Sequence, residues 1–290
     1  MSLRFTKMHG LGNDFMVIDG VRQTVRLTPA DIKQLSSRHT GIGFDQCLIV
    51  ESSNKPGIDF FYRIFNADGQ SVGQCGNGAR CLARFIQHYG LSNAPTLTVA
   101  THTTQLQLQL NTDHSVTVNM GQPNLNPTQI PLNIKEKAER YLIPLPDGSE
   151  TWVHALNIGN PHAILLVNDL AHAPVAQLGK ILCEHSLFPE QINVGFLKLA
   201  TPNHIHLRVY ERGCGETHAC GSGAVAAAAI GRLYHQLDAR IRVSLPGGDL
   251  WVDWANANAP IFLTGPACFV YEAQLLPDLN LLSQSHHTPL

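Results

Sequence analysis

Two of the seven cysteines in this 290-residue chain stand in one repeated motif. Cys75-Gly76-Asn77-Gly78-Ala79 returns 145 residues later as Cys220-Gly221-Ser222-Gly223-Ala224. In both copies the glycines lead into a helical pattern, at 79–89 and at 224–233, so each thiol is expected at a helix start. A thiol there faces unpaired backbone N–H groups and the positive end of the helix dipole, which favour thiolate and draw its pKa down from about 8.5. The glycines let a ligand approach those same N–H groups, which suit a carboxylate. Two such units, one on each side of a bound molecule, could invert a stereocentre. One thiolate would remove a proton from one face while the opposite thiol returned one.

The elements that must position these thiols repeat as well. Gly12-Asn13 returns as Gly159-Asn160, 147 residues on. Gln46, after Gly43-Phe44, has a looser counterpart at the same offset in Asn193, before Gly195-Phe196. Segments 59–66 and 205–211 read as strands rich in β-branched and aromatic residues, and each ends nine residues before its cysteine. The repeated unit is strand, glycine-rich loop, cysteine, helix, and it makes the chain two related halves. Short strands dominate elsewhere. Leu106, Leu108 and Leu110 alternate with polar residues, as do Val116, Val118 and Met120, and the two runs read as a hairpin. Thr28-Pro29 with Asp31 reads as a capped helix start, and Pro246-Gly247-Gly248-Asp249 as a turn between strands at 241–245 and 250–254. The stretch 121–127 reads as a linker.

Composition narrows the classes. The chain carries 20 Lys+Arg against 22 Asp+Glu with no long basic run, so it lacks the electrostatic footprint expected for binding nucleic acid or an anionic membrane. Only 14% of residues are charged while 44% are hydrophobic, which implies much buried area or an interface and excludes disorder. No run of about 18 apolar residues is present to cross a membrane as a helix. The start, MSLRFTKMHG, has no apolar signal-peptide region, and the expected compartment is the cytoplasm. Other roles for the thiols stay open at this point. They could be buried structural cysteines, or a Cys75–Cys220 disulfide formed as an inactive by-product. Metal is disfavoured: five residues separate Cys75 from Cys81 and Cys214 from Cys220, where zinc sites usually have two to four, and no metal is expected. Neither a phosphate-binding loop, a dinucleotide fingerprint nor a Gly-x-Ser-x-Gly elbow occurs.

At these residues the sequence resembles the diaminopimelate epimerase family. The matching segments are Met8-His9-Gly10-Leu11-Gly12-Asn13-Asp14-Phe15 and Asn66-Ala67-Asp68-Gly69 running into Cys75-Gly76-Asn77-Gly78-Ala79-Arg80-Cys81. They continue with Gly159-Asn160-Pro161-His162 and Glu211-Arg212-Gly213-Cys214-Gly215-Glu216-Thr217 running into Ala219-Cys220-Gly221-Ser222-Gly223. The resemblance covers about residues 3 to 275. It implies interconversion of LL- and meso-diaminopimelate without a cofactor, in lysine and peptidoglycan biosynthesis. It also implies an α/β (α+β) fold of two pseudo-symmetric domains, each a barrel-like, mostly antiparallel sheet around a central helix, with the active site in the cleft between them. Residues 1–120 with about 266–277 would form the half holding Cys75, 121–265 the half holding Cys220, and 278–290 a frayed tail.

By that resemblance Cys75 and Cys220 are the two bases, and His162 and Glu211 tune the thiols. Asn13, Gln46, Asn66, Gly76, Asn77, Asn160, Asn193, Glu211, Arg212, Gly221 and Ser222 match positions that hold the substrate. The residue types suit an amino-acid substrate. Arg212 can pair with a carboxylate, and the amides and Glu211 can order ammonium and carboxylate groups. Taken singly, any of these asparagines would be read as a turn residue. Tyr271 matches a tyrosine associated with the family's dimer contact, so a homodimer is expected. Cys214, His218, His102 and Thr103 depart from the family pattern without removing a site residue. Two readings compete. One is a proline or hydroxyproline racemase-type isomerase of the same superfamily; the other is a non-enzymatic thiol redox or binding module.

Overall fold

The computed structural model describes residues 3–73 and 75–276; the tail expected at 278–290 lies outside the described residues. The described residues form two compact units, one made of those up to Val118 together with 266–276, the other of Asn119–Gly265.

The first unit contains β1 (Arg4–Gly10), β2 (Asn13–Asp19), α1 (Pro29–Ser36), β3 (Gln46–Ser52), β4 (Phe60–Asn66), β5 (Ser71–Val72), α2 (Gly76–His88), β6 (Thr96–Ala100), β7 (Gln105–Leu110) and β8 (Val116–Asn119). The second contains β9 (Tyr141–Pro144), β10 (Glu150–Asn157), β11 (Pro161–Leu166), α3 (Val175–Cys183), β12 (Asn193–Thr201), β13 (His204–Glu211), β14 (Gly215–Thr217), α4 (Gly221–Tyr234), β15 (Arg240–Leu245), β16 (Gly248–Asp253) and β17 (Phe262–Gly265). The final strand, β18 (Cys268–Gln274), returns to the first unit and pairs antiparallel with β1.

One topology is used twice. In the first unit β1–β2, β3–β4, β6–β7 and β7–β8 are antiparallel, and β2–β3 and β4–β6 are parallel. In the second unit β10–β11, β12–β13, β15–β16 and β16–β17 are antiparallel, and β11–β12 and β13–β15 are parallel. β5 and β14 are short antiparallel additions to β4 and β13. The register repeats as well: Phe15 lies opposite Gln46 in one parallel pair, and His162 opposite Asn193 in the other.

Each sheet curls around one helix. α2 touches β1, β2, β3 and also β7, which only a curved sheet allows; α4 touches β10 to β13, β15 and β16. The helix sequences reflect this enclosure. Ser222 is the only residue of Gly221–Gly231 that is not buried, as expected of an alanine-rich helix that is apolar all round. α1 and α3 lie on the outer faces. The Thr28–Asp31 capping box that starts α1 is complete. α3 approaches β13 so closely that a Cβ on Gly179 would sit 2.6 Å from Tyr210 Cβ. The sheet-around-a-helix architecture read from the resemblance is the one each unit adopts. Both central helices begin three residues earlier than their alanine patterns suggest, at Gly76 and Gly221, because the cysteine before each acts as the cap.

Candidate active site

In the first unit the candidate residues gather where β2 and β3 begin and β4 ends. The two-residue turn between β1 and β2 holds Leu11 and Gly12 at φ +57° and +89°, a left-handed pair that makes a tight hairpin and presents Asn13. Cys75 caps α2 in extended conformation, and its Sγ accepts the Gly78 N–H at 3.3 Å. The same Sγ lies 3.8 Å from Asn13 Oδ1, which also accepts from Asn77 Nδ2 at 3.3 Å. Asn13 is held from behind, donating to Asp45 Oδ2 at 2.9 Å. Behind it stands an ionic network. Arg38 donates to both Asp14 and Asp45, and Lys7 donates to Asp14 at 2.6 Å and to the Gly43 carbonyl. Burial would push the Asp14 carboxyl up, but hydrogen bonds and charge from Arg38 and Lys7 outweigh it and hold the group well below the usual carboxylate range. Gln46 Nε2 donates to Asn66 Oδ1 at 2.9 Å, across the β3–β4 pair in which they are direct partners.

The second unit builds the corresponding cluster with different chemistry. Gly159, at φ +92°, forms the turn that carries Asn160. Cys220 caps α4, accepts the Gly223 N–H at 3.4 Å and lies 3.6 Å from Ser222 Oγ. His162 Nε2 meets Asn160 Oδ1 at 3.1 Å and Ser222 Oγ at 3.0 Å. Asn193 donates to the Pro161 carbonyl at 3.1 Å and accepts the Arg212 backbone N–H at 3.0 Å. The Arg212 guanidinium is exposed and donates to the Glu190 carbonyl at 2.7 Å. Glu211 accepts from Thr217 Oγ1 at 2.5 Å and hydrogen-bonds the Cys220 thiol.

Electrostatics separates the two thiol environments. Burial and then the negative charge of Glu211 push Cys220 well above its ordinary pKa, and its bonds to Ser222 and Gly223 oppose this more weakly. This corrects the expectation from the helix start alone: for Cys220, desolvation and an adjacent carboxylate outweigh the helix terminus. His162 also acts differently from a charge-based tuner. Burial, reinforced by Arg212, lowers its pKa to about 3, so at neutral pH it is an uncharged imidazole that positions Ser222 and Asn160. Three buried side-chain polar atoms lack a hydrogen-bond partner among the described residues: Gln46 Oε1, Tyr62 OH and His162 Nδ1. Gln46 and His162 belong to these clusters, and Tyr62, on β4, feels the charge of Cys75. Unsatisfied polar atoms are uncommon enough that their concentration here marks functional ground.

Each unit thus brings its own candidates together. Tyr271 stands apart from them on β18, 44% exposed and edge-on to Phe5 with ring centroids 6.2 Å apart. Sequence reasoning had not singled out the Lys7–Asp14–Arg38–Asp45 network, Tyr62, Thr217 or Arg80. Arg80 carried a readable signal, a charged residue inside the apolar run Ala79-Arg80-Cys81-Leu82-Ala83. It is fully buried and donates to Asn77 Oδ1 at 2.8 Å, to the Pro266 carbonyl at 3.2 Å and to the Gly76 carbonyl at 3.5 Å.

Comparison with known proteins adds to this geometry. A family model described as diaminopimelate epimerase matches residues 5–126 and 154–270. Diaminopimelate epimerases of Legionella pneumophila strains Paris and Corby are each 59% identical over 276 residues, covering 95% of this chain and 100% of the relative. Among solved structures, a PhzF-family phenazine biosynthesis protein of Bacillus anthracis is similar with TM-score 0.66 at 18% identity, over 95% of this chain and 99% of that one. A hydroxyproline epimerase from Agrobacterium vitis, solved with trans-4-hydroxy-L-proline bound, is similar with TM-score 0.68 at 15% identity, over 94% of this chain and 92% of that one. At these identities the structural likenesses concern the fold.

Proposed function

The chain belongs to the diaminopimelate epimerase family, and from that premise we propose that it interconverts LL- and meso-diaminopimelate by two-base proton transfer at Cα. The carrying observation is the duplicated cap: Cys75 and Cys220 each sit at the N-terminus of a central helix, each accepting the backbone N–H three residues on. In this reading one thiol stands on each face of the substrate Cα. One sulfur takes the Cα proton, and the other delivers its own proton to the opposite face. The carbanion between these events is a poor acid's conjugate base, and helix N-terminal N–H groups at the substrate carboxylate stabilise its charge. Excluding water from around the substrate serves the same end.

The remaining candidates take roles that follow from their chemistry. Asn13, Asn77, Asn160, Ser222 and the Gly76 and Gly221 backbones surround the reacting amino-acid end. Gln46, Asn66, Asn193 and Arg212 receive the distal ammonium and carboxylate groups, and Glu211 adds an acceptor for an ammonium. No cofactor takes part. The product serves lysine and peptidoglycan biosynthesis in the cytoplasm; among the described residues no helix is long and apolar enough to cross a membrane. A homodimer completes the proposal. Its supporting feature is the outer face of β18, where Val270 is 55% and Tyr271 44% exposed. Sedimentation of wild type and Tyr271→Glu tests it, with a monomeric wild type counting against it.

The test of the reaction is solvent exchange. Incubated in deuterium oxide with either diaminopimelate isomer, the protein is expected to place deuterium at Cα of product and of recovered substrate. Exchange with proline or 4-hydroxyproline and none with diaminopimelate would move the assignment to the racemase branch of the fold.

A further inference from the structure

The two cysteine clusters occupy equivalent places in the repeated topology, yet they differ in charge at two positions. Asn66, at the end of β4, is replaced at the end of β13 by Glu211. Arg80, in the first turns of α2, is replaced in α4 by Val225. The Cys75 half therefore carries a buried cation where its counterpart is apolar, and the Cys220 half carries a carboxylate where its counterpart is an amide.

Arg80 is an unusual residue energetically. Its side chain is fully buried, its hydrogen bonds go to amide and carbonyl oxygens, and among the described residues no carboxylate pairs with it. A guanidinium keeps its proton under nearly all conditions, so this is a buried charge in need of an anion. The ionisable groups around it are thiols. Burial and the Cys81 and Cys75 thiols pull its pKa in opposite directions, burial more strongly.

Cys81 is fully buried, and desolvation holds it as a thiol against the pull of Arg80. Tyr62, whose hydroxyl feels the charge of Cys75, is likewise kept neutral by burial. Arg84 and Cys268 act on Cys81 more weakly than these. Cys75 is only partly buried, caps α2 and accepts the Gly78 N–H. Its contact with Asn13 Oδ1, which favours the protonated form, is long at 3.8 Å.

We propose that Arg80 is the counter-charge that makes Cys75, rather than Cys220, the thiolate of the resting protein. Arg80 is then a positioning residue, acting through Cys75 and through Asn77, whose oxygen it engages so that the Asn77 amide N–H₂ faces Asn13. The catalytic consequence rests on the reaction proposed above. Resting Cys75 thiolate breaks the Cα–H bond and forms S–H, while the electron pair on Cα takes the proton of the Cys220 thiol. Turnover leaves Cys75 protonated and Cys220 as thiolate, and exchange of one proton at each sulfur with water restores the starting form.

Alkylation tests the assignment without any assay of epimerisation. Ligand-free protein is treated with iodoacetamide across a pH series, and the peptides containing Cys75 and Cys220 are quantified separately by mass spectrometry. Half-points in pH report thiolate formation independently of absolute accessibility. In wild type the Cys75 half-point is expected at least one pH unit below that of Cys220. Arg80→Gln is expected to raise the Cys75 half-point by about one unit, a tenfold loss of reactivity at neutral pH, without moving Cys220. Arg80→Lys is expected to restore it. A Cys220 half-point at or below that of Cys75 overturns the proposal, as does an Arg80→Gln protein in which Cys75 is unmoved or both thiols move together. Should Arg80→Gln not fold by circular dichroism, the order of the two half-points in wild type and Arg80→Lys decides the matter. Failure of Cα exchange alongside the expected order would remove the reaction and leave the charge assignment standing.

Discussion

The Glu211 carboxylate hydrogen-bonds the Cys220 thiol from the last residue of β13, while Thr217, on the neighbouring β14, donates to the same carboxylate at 2.5 Å. The acid and the thiol are thus brought together by the strand–cysteine–helix unit itself, and the pair stores a proton on sulfur. Glu211→Gln removes the negative charge that helps hold this thiol protonated. The Cys220 half-point for alkylation is expected to fall by about one pH unit, with reactivity at neutral pH rising about tenfold. An unchanged half-point would mean that burial alone sets the Cys220 protonation state.

Cys75→Ala and Cys220→Ala each remove one member of the proposed base pair. General acid–base groups contribute roughly 10²- to 10⁴-fold, so each variant is expected to lose turnover in that range with circular dichroism unchanged. Near-wild-type epimerisation by either variant would remove that thiol from the mechanism.

Asp45 accepts from Asn13 Nδ2, from the Asp14 backbone N–H at 3.1 Å and from Arg38 at 2.8 Å. Asp45→Ala frees the Asn13 amide from its acceptor, and a hydrogen bond of this kind is worth about 0.5–1.5 kcal/mol net. KM for diaminopimelate is expected to rise roughly two- to twelvefold. Steady-state kinetics in which kcat falls and KM holds would contradict a positioning role.

His162 makes stability depend on pH. In the unfolded chain imidazole titrates near 6.5, whereas in the fold burial keeps His162 neutral down to about 3. Between these values the unfolded chain binds more protons, so this group's contribution falls by about 1.4 kcal/mol per unit as pH drops. His162→Phe, matching Phe15 of the other unit, is expected to have a shallower loss of stability from pH 6.5 to 4.5 in urea titrations.

Gly223 supplies the N–H that Cys220 accepts, and a Cβ there would lie 3.1 Å from Val209 Cγ2 and 3.3 Å from Cys220 Sγ. Val209 is buried against α4, so the crowding falls on the sulfur and on the core together. Gly223→Ala is expected to cost about 1–3 kcal/mol in chemical unfolding and to depress turnover further than the stability loss explains.

Much of this organisation can be read from the chain alone. The Cys-Gly-x-Gly-Ala repeat and the Gly-Asn pairs mark helix starts and tight turns, which are local features: a glycine after the cap and a left-handed turn residue constrain only their neighbours. The family segments contain most of the candidate residues, within a chain 59% identical to a diaminopimelate epimerase over 276 residues. Helix starts were less sharply legible, because the alanine run that signals α4 begins four residues after the Cys220 cap that starts it.

Protonation states were not local. From sequence, Cys75 and Cys220 look alike, since both precede glycines at a helix start. The fold distinguishes them by their neighbours: Glu211 hydrogen-bonded to Cys220, and buried Arg80 bonded to Gly76 and Asn77 beside Cys75. His162 reads as a titratable tuner until burial removes its charge, and the charge of Arg80 inside an apolar run gains its meaning only from full burial with no carboxylate paired to it among the described residues. The duplicated architecture and the choice of candidate residues were legible in the chain itself, because patterning and turn chemistry act over a few positions. The protonation of Cys220 and of His162 became legible only in the fold, because desolvation and Coulomb interactions depend on distances between residues far apart in the chain.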